Sequence, residues 1–501
     1  MTDDTGSRDD EGDDAVALAA RMRSGAVSAR ELVDAAIARI EATNPAINAV
    51  IQERFDAARR EADGGLPDGP FRGVPILLKD LNAQMPGEPC YLGTTFLKEA
   101  DYRPPVQNHV VTRLRRAGFV ILGRTNTPEF ATSPTTEPVS YGPTRNPWDL
   151  GRSAGGSSGG AAAAVAAGMV PVAHASDGGG SIRIPASCNG IFGLKPSRGR
   201  ISRGPQAGEG WGGASTDGVV SRTVRDSAAL LDVLAGYETG DPYTAPPPVR
   251  PYATEPGVAP GRLRVGVRTD TPGGAPADPA CATAVRSAAD LLSELGHDVV
   301  DASPAAMAEP EYGEHYLPLL TVATAQSLVQ WSEVLGREVR IDEVEPFNQV
   351  FATMGRTVSG TEYLSHLTWL HAWSRRMVEF WRPADDPGSG FDLLLTPTLA
   401  SPPVPIGSLV PPADDPLPTM LEVGNWVAFT SHFNVTGQPA MNLPLHWTEP
   451  GDGHPAGLPV GVQLVGPPFG EDLLLQVAAQ VETARPWNFR YNDVAELPRQ
   501  L

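Results

Sequence analysis

The 501-residue chain can hold one large core or two to three ordinary domains, and its 20% charged and 41% apolar residues are those of a globular protein, not a disordered one. A formal net charge of -20, from 59 acidic against 39 basic residues, argues against a nucleic acid or an acidic lipid surface as partner, because phosphate binding rests on clustered Lys and Arg. Cys90, Cys188 and Cys281 are odd in number, far apart and without CxxC spacing, which speaks against a disulfide framework or a zinc site and for a reducing cytoplasm.

Asp3, Asp4, Asp9, Asp10, Glu11, Asp13 and Asp14 face only Arg8, so residues 1–14 are expected to form a solvated, disordered tail preceding a domain over 15–501. The acidic start is unlike a secretory signal, and no apolar run reaches the ~18 residues of a membrane span. Ala15 to Ser24 carries an apolar stripe stopped by Gly25, and Ser28 with Glu31 is a capping-box pattern opening a second amphipathic helix to Ile40.

From residue 71 the texture changes. Val74 to Leu78 and Phe119 to Leu122 are short, continuous apolar runs, as in strands buried on both faces, and helical stretches lie between such runs, which predicts an α/β core. Residues 142–200 are dense in Gly, Ser and Ala. Ala161 to Gly168 reads as a helix of small residues and Met169 to Ala175 as a strand, so the segment is ordered and not a flexible linker. The Pro-rich stretch Pro242 to Pro260 reads as a surface loop. Leu263 to Val267, a helix near 278–295 and Val299-Val300 form a further βαβ-like unit, and 361–382 is a long helix with Trp369, Trp373, Met377 and Trp381 on one face.

Lysine occurs only at positions 79, 98 and 195, so the chain uses arginine for generic positive charge. Lys79 therefore asks for a chemical reason, since lysine can be deprotonated in a protein and arginine cannot. It follows Ile76-Leu77-Leu78, a run that would carry it into a dry core where burial lowers its pKa. Asp80 would work against this if it faced the ammonium, and is expected to point elsewhere. Downstream, GGSSGG at 155–160 is followed by DGGGSIRIP at 177–185, and Gly178, Gly179 and Gly180 before Ser181 can turn successive N-H groups to one side, as an oxyanion hole requires.

GVPILLKD at 73–80, GGSSGG, DGGGSIRIP, NVTGQPAMNLP at 434–444 and GLPVGVQLVGPPF at 457–469, in this order, resemble the amidase signature family over nearly the whole chain. The HASDGGGSIRIPAS and GLKPSRGR wording is most similar to its branch of nylon-oligomer cyclic-dimer hydrolases. The resemblance implies a Ser-cisSer-Lys triad of Ser181 as nucleophile, Ser157 as cis-serine and Lys79 as base. It implies one α/β/α domain on a large mixed, mostly parallel twisted sheet, hydrolysing small-molecule amides or esters with neither metal nor cofactor. The oxyanion would then be held by the N-H groups of Gly178, Gly179, Gly180 and Ser181, with Ser158, Asp177 and Arg183 supporting the site, Arg183 by bracing the loop through a carboxylate. Gly178 replaces a threonine common in that family, and His174 stands where a small or aliphatic residue is common.

Which amide, ester or carbamate is cleaved stays open at this stage. The pocket walls are expected from 310–335, 365–382 and 425–435, with Asn126, Trp331 and Trp373 as candidate lining residues; a symmetric homodimer is the general prior for a large enzyme. GGSSG also fits the G-x-S-x-G nucleophile elbow centred on Ser157, but TRNPWDLGRSA before it is polar and turn-rich where that motif needs a strand. No GxxxxGK[ST] is present for a nucleotide loop. A subunit delivering ammonia to tRNA-bound substrate is the remaining alternative, and the acidic charge argues against it.

Overall fold

The computed structural model describes residues 13–487 except 384, 387 and 413. Most of the expected acidic tail lies outside the described residues. Its last two members do not behave as a tail: Asp13 pairs with Arg21, and Asp14 is buried, caps the helix Ala15–Ser24 through the Ala17 N-H and pairs with Arg225. Ser28 and Glu31 form the expected capping box, but the helix runs on from Ala29 to Ile47, carrying Pro45 inside it.

Thirteen strands are described: β1 Val50–Glu53, β2 Pro75–Lys79, β3 Val120–Thr125, β4 Arg145–Asn146, β5 Asp149–Ser153, β6 Val172–Asp177, β7 Phe192–Lys195, β8 Thr216–Ser221, β9 Arg264–Val267, β10 Asp298–Asp301, β11 Leu393–Pro397, β12 Ala440–Trp447 and β13 Pro459–Val465. Strands β4 and β5 form a hairpin of their own. The other eleven make one sheet in the order β1-β3-β2-β6-β8-β7-β12-β13-β11-β9-β10. The fold is α/β with a mixed sheet. Parallel pairing is gathered in the blocks β3-β2-β6 and β11-β9-β10. The strands between them pair antiparallel, a larger share than a mostly parallel sheet implies. Runs of apolar residues signal burial on both faces, and that burial is common to both kinds of pairing here.

The alternation of a strand explains how the sheet is covered. Ile76 and Leu78 of β2 belong to one buried cluster, and Leu77 between them belongs to the cluster on the other side, which contains Ala161 to Val165. These alanines lie in the helix Gly159–Ala166, buried along its whole length. Small residues let it approach closely: a Cβ on Gly160 would come within 2.4 Å of the Asn126 backbone nitrogen. Lys79, two residues beyond Leu77, reaches the start of this helix.

The Pro242–Pro260 stretch is a loop containing the 3-10 turn Tyr252–Gly257, which buries Tyr252 and Glu255. In the helix Gly360–Val378, Trp373 and Met377 are fully buried, and Trp381 just beyond it is nearly so. The indole of Trp373 donates to the Ala306 carbonyl oxygen at 2.8 Å, so this candidate lining residue is part of the core. No helix among the described residues is long and apolar enough to cross a membrane.

Candidate active site

Lys79 closes β2 and is completely buried. Its ammonium nitrogen Nζ lies 2.7 Å from Ser157 Oγ, 3.0 Å from Ser158 Oγ and 3.1 Å from Ser176 Oγ. Hydroxyl groups accept from a lysine in either protonation state without adding a compensating charge. Burial lowers the Lys79 pKa to about 7, against the pull of Asp217 and Asp177, which raise it. The partial positive charge at the start of the helix Gly159–Ala166 acts in the same direction as burial. A fall from the usual 10.5 to about 7 corresponds to about 5 kcal/mol against the ammonium.

Asp80, the next residue, turns away as expected. Its Oδ1 accepts the Tyr91 N-H at 3.0 Å and its Oδ2 the Gly93 N-H at 3.3 Å. Burial pushes its carboxyl up to about 6, although Arg124 and these two N-H groups favour the charged form.

Ser157 and Ser158 stand at the turn into the helix Gly159–Ala166, and the Gly156–Ser157 peptide bond is cis. Ser158 Oγ also donates to the Ser176 carbonyl oxygen at 3.2 Å and accepts the Ser176 N-H at 3.3 Å, which ties this turn to the end of β6. Ser176 was not anticipated. It sits inside the SDGGGS motif, one residue before the acid that drew attention, and only the fold brings it to Lys79.

Strand β6 ends at Asp177, and the glycine loop carries the chain to Ser181, which precedes the helix Arg183–Asn189. Asp177 Oδ1 accepts the Gly180 N-H at 2.8 Å and its Oδ2 the Ile182 N-H at 3.1 Å. Arg183 binds both carboxylate oxygens, through Nε at 3.0 Å and Nη2 at 2.9 Å. The rest of its guanidinium donates to the Thr430 carbonyl oxygen, Gln463 and Asn434. Burial alone would raise the Asp177 pKa, but Arg183, Lys195 and Asn434 hold it well below the usual carboxylate range. The expected brace is therefore in place, with both members fully buried.

The oxyanion expectation needs one correction. The Gly180 N-H points back at Asp177 Oδ1, so it is not turned to the substrate side, and the donors left in the loop are the N-H groups of Gly178, Gly179 and Ser181. Gly180 has φ +136 and a Cβ there would meet Thr430 Oγ1 at 2.4 Å, so the sharp turn that withdraws its N-H is open only to glycine. Thr430 Oγ1 donates to the Gly179 carbonyl oxygen at 2.6 Å, which makes it a support of the loop.

Removing Arg183 would strand the buried Asp177 carboxylate. Arg183→Met is expected to destabilise the fold by about 3–5 kcal/mol in urea unfolding. A loss below about 1 kcal/mol would show that the loop is held by something else.

Ser157, Ser176, Asp177, Gly178 and Ser181 form the floor of a cleft of about 310 Å³. Its walls come from Leu81, Asn82, Gln84, Leu92, Asn108, Phe130, Ala131 and residues of the 203–215 and 323–331 segments. Of the segments expected to line it, only 310–335 does so. Trp331 lines the cleft and packs edge-on against Tyr102. Asn126 does not: its Nδ2 donates to the Gly142 carbonyl oxygen and to Thr144 Oγ1, holding a neighbouring loop.

Behind Lys79, His174 of β6 lies 3.3 Å from Asp217 of β8 through Nε2, and both are buried. Asp217 has no motif around it and could not be read from the chain. Among the described residues no group of three or more His, Cys, Asp or Glu could hold a metal ion.

The Amidase family matches residues 31–475 of the chain. The 6-aminohexanoate-cyclic-dimer hydrolase of Pseudomonas sp. (strain NK87) is 45% identical over 97% of this chain and 98% of its own length. A solved structure of a 6-aminohexanoate cyclic dimer hydrolase complexed with substrate superposes with a TM-score of 0.91 at 43% identity, covering 97% of this chain and all of that one. A bacterial aryl acylamidase of the amidase signature enzymes superposes with a TM-score of 0.84 at 29% identity over 97% of this chain and 98% of that one. These relatives are amide hydrolases, which sets the ammonia-delivering alternative aside. By sequence and by fold, this chain belongs to the Amidase family.

Proposed function

We propose that this amidase cleaves a carboxylic amide through an acyl-enzyme on Ser181, with Ser157 relaying the proton and Lys79 as the base. The observation that carries the reading is a fully buried lysine nitrogen 2.7 Å from the Oγ of Ser157, which lines the same cleft as Ser181. A serine hydroxyl is a weak nucleophile and needs a base, and a lysine near pKa 7 is half neutral at neutral pH. Neutral Lys79 takes the Ser157 proton while Ser157 takes that of Ser181, whose Oγ attacks the carbonyl carbon. The developing oxyanion is received by the N-H groups of Gly178, Gly179 and Ser181. The proton then returns along the same path to the leaving nitrogen, the C-N bond breaks, and water attacking the Ser181 ester releases the acid.

Ser158 and Ser176 hold Lys79 in place, and Asp177 with Arg183 holds the nucleophile loop. The names of the relatives point to the 6-aminohexanoate cyclic dimer as the first substrate to try, with linear amides, carbamates and esters as comparisons. A cytoplasmic location is supported by the three thiols, which are free and buried. The test is release of the linear product and of aniline from simple anilides by the purified chain alone, with no ATP or partner. Hydrolysis supports the reading. Absence of turnover across the cyclic dimer, anilides and esters, together with no fluorophosphonate adduct on Ser181, would overturn it.

A further inference from the structure

The three glycines before Ser181 each have a different side chain against them, and the one against Gly178 stands in the cleft. A Cβ on Gly178 would come within 2.7 Å of Trp211 Cε3 and 2.8 Å of Trp211 Cζ3, where carbon atoms in contact keep about 3.5–4.0 Å apart. The six-membered ring of the indole therefore lies directly on the Gly178 backbone. Trp211 and Gly178 line the same cleft as Ser181.

The indole is braced from behind. Trp211 has φ +54, a backbone conformation that a bulky residue rarely adopts, and its carbonyl oxygen accepts the Ala214 N-H at 3.2 Å. Gly212 is wedged against the helices Tyr312–Leu335 and Gly360–Val378: a Cβ there would stand 2.9 Å from Leu367 Cδ2 and 3.3 Å from Leu319 Cδ2. Arg198 Nε donates to the Gly213 carbonyl oxygen at 2.6 Å. Asn434 Nδ2 donates to the Ala214 carbonyl oxygen at 3.1 Å and to Asp177 Oδ1 at 2.8 Å, so one asparagine ties the tryptophan loop to the carboxylate that holds the nucleophile loop.

The strand order decides which part of a substrate meets this wall. Strand β6, which leads into the glycine loop, lies between β2 and β8. Lys79 and Ser157, the path by which the proton returns to the leaving nitrogen, stand on the β2 side. Trp211 belongs to the segment that leads into β8, on the other side. An amide whose carbonyl carbon meets Ser181 with its nitrogen toward Ser157 thus turns its acyl chain toward the indole.

Building on the proposed reaction at Ser181, we infer that Trp211 is a specificity-determining residue that limits bulk at the carbon next to the scissile carbonyl. Acyl groups that begin with a CH2 fit, and acyl groups branched at that carbon, those of α-amino-acid amides and peptides among them, are excluded. A substituent there has to displace a ring that already touches backbone on one side and is fixed by its own loop on the other, and overpacking of this kind is costly.

The test compares hexananilide with the two enantiomers of 2-methylhexananilide. Aniline release gives kcat/KM for the full-length protein, and dividing by the rates of alkaline hydrolysis removes the intrinsic effect of the methyl group. The wild type is expected to favour hexananilide over the better enantiomer by roughly tenfold or more. Trp211→Ala should bring that ratio close to one by gaining activity on the branched anilide, a result that loss of folding cannot imitate. Trp211→Leu, which keeps an apolar side chain of shorter reach, should fall between the two. Calorimetry on Ser181→Ala, with and without Trp211→Ala, measures the same preference in binding.

An unchanged ratio in both Trp211 variants overturns the inference, as does a wild type that hydrolyses the branched and unbranched anilides equally well. A gain confined to N-methylated hexananilide would put the indole on the leaving-group side and overturn it too. Failure of the hydrolase reading looks different: no anilide is turned over by any variant. The binding ratio on Ser181→Ala then decides the role of Trp211, and equal binding or no binding of the two anilides overturns it.

Discussion

Ser181→Ala is expected to lower kcat for amide hydrolysis by roughly 10⁴–10⁶-fold, with substrate binding changed only a few-fold. The asymmetry follows from what the hydroxyl does. In the resting enzyme Ser181 Oγ is one small polar group on the floor of the cleft, and its loss removes little ground-state contact. In the proposed reaction it forms the bond that splits one hard step into two, so its loss would remove the covalent route altogether. What survives is the oxyanion donors and the positioning of substrate, which alone leave a residual rate above that in water.

Intact-mass spectrometry after treatment with a fluorophosphonate gives the same answer by another route. A single adduct on the wild type should vanish in Ser181→Ala. Adduct that persists in Ser181→Ala and maps to Ser157 or Ser158 would sink the assignment and revive the nucleophile-elbow reading of GGSSG. The alanine itself is safe structurally, because the loop is held by Asp177, Arg183 and Thr430 and not by the serine side chain.

Lys79→Met is expected to cost about 10²–10⁴-fold in kcat/KM, the usual worth of a general base. Lys79→Arg should be no better, since arginine keeps its charge and cannot accept the Ser157 proton. The pH dependence carries the sign. The active form is the neutral amine, so kcat/KM of the wild type should fall tenfold per pH unit below about 7 and level off above it. The charged groups acting on Lys79 are Asp217, Asp177 and Arg203, with His174 bonded to Asp217. Asp217 favours the ammonium, so Asp217→Asn should move the acid limb to lower pH. Arg203 opposes the ammonium, so Arg203→Met should move it to higher pH. A profile flat from pH 5 to 9, or an acid limb that stays in place in both variants, would remove Lys79 from the role of base.

What the sequence could state on its own was whatever is local or periodic. Continuous apolar runs fix β2 and β3 as strands buried on both faces, because period-two alternation disappears when neither face meets water. The capping box at Ser28 fixes a helix start by bonds spanning three residues. The choice of lysine at 79, one of only three lysines in a chain rich in arginine, points to a group that can shed a proton. The glycine runs around Ser157 and Ser181 announce backbone that must turn sharply or be approached closely, and the roles of the two serines come from the family resemblance.

The rest was decided by strand pairing and packing, which join residues far apart in the chain. Ser176 meets Lys79, and Asp217 comes near enough to act on its charge, only because β6 pairs parallel with β2 and antiparallel with β8. The Gly180 N-H is withdrawn from the proposed oxyanion hole because Asp177 captures it, a matter of loop conformation that composition does not encode. Trp373 and Asn126 carry the same residue types that line binding pockets, and tertiary packing put one in the core and the other in a loop support. Arg203, 22 residues beyond Ser181 and without a motif of its own, becomes a cleft residue only when the 203–215 segment folds into the cleft wall.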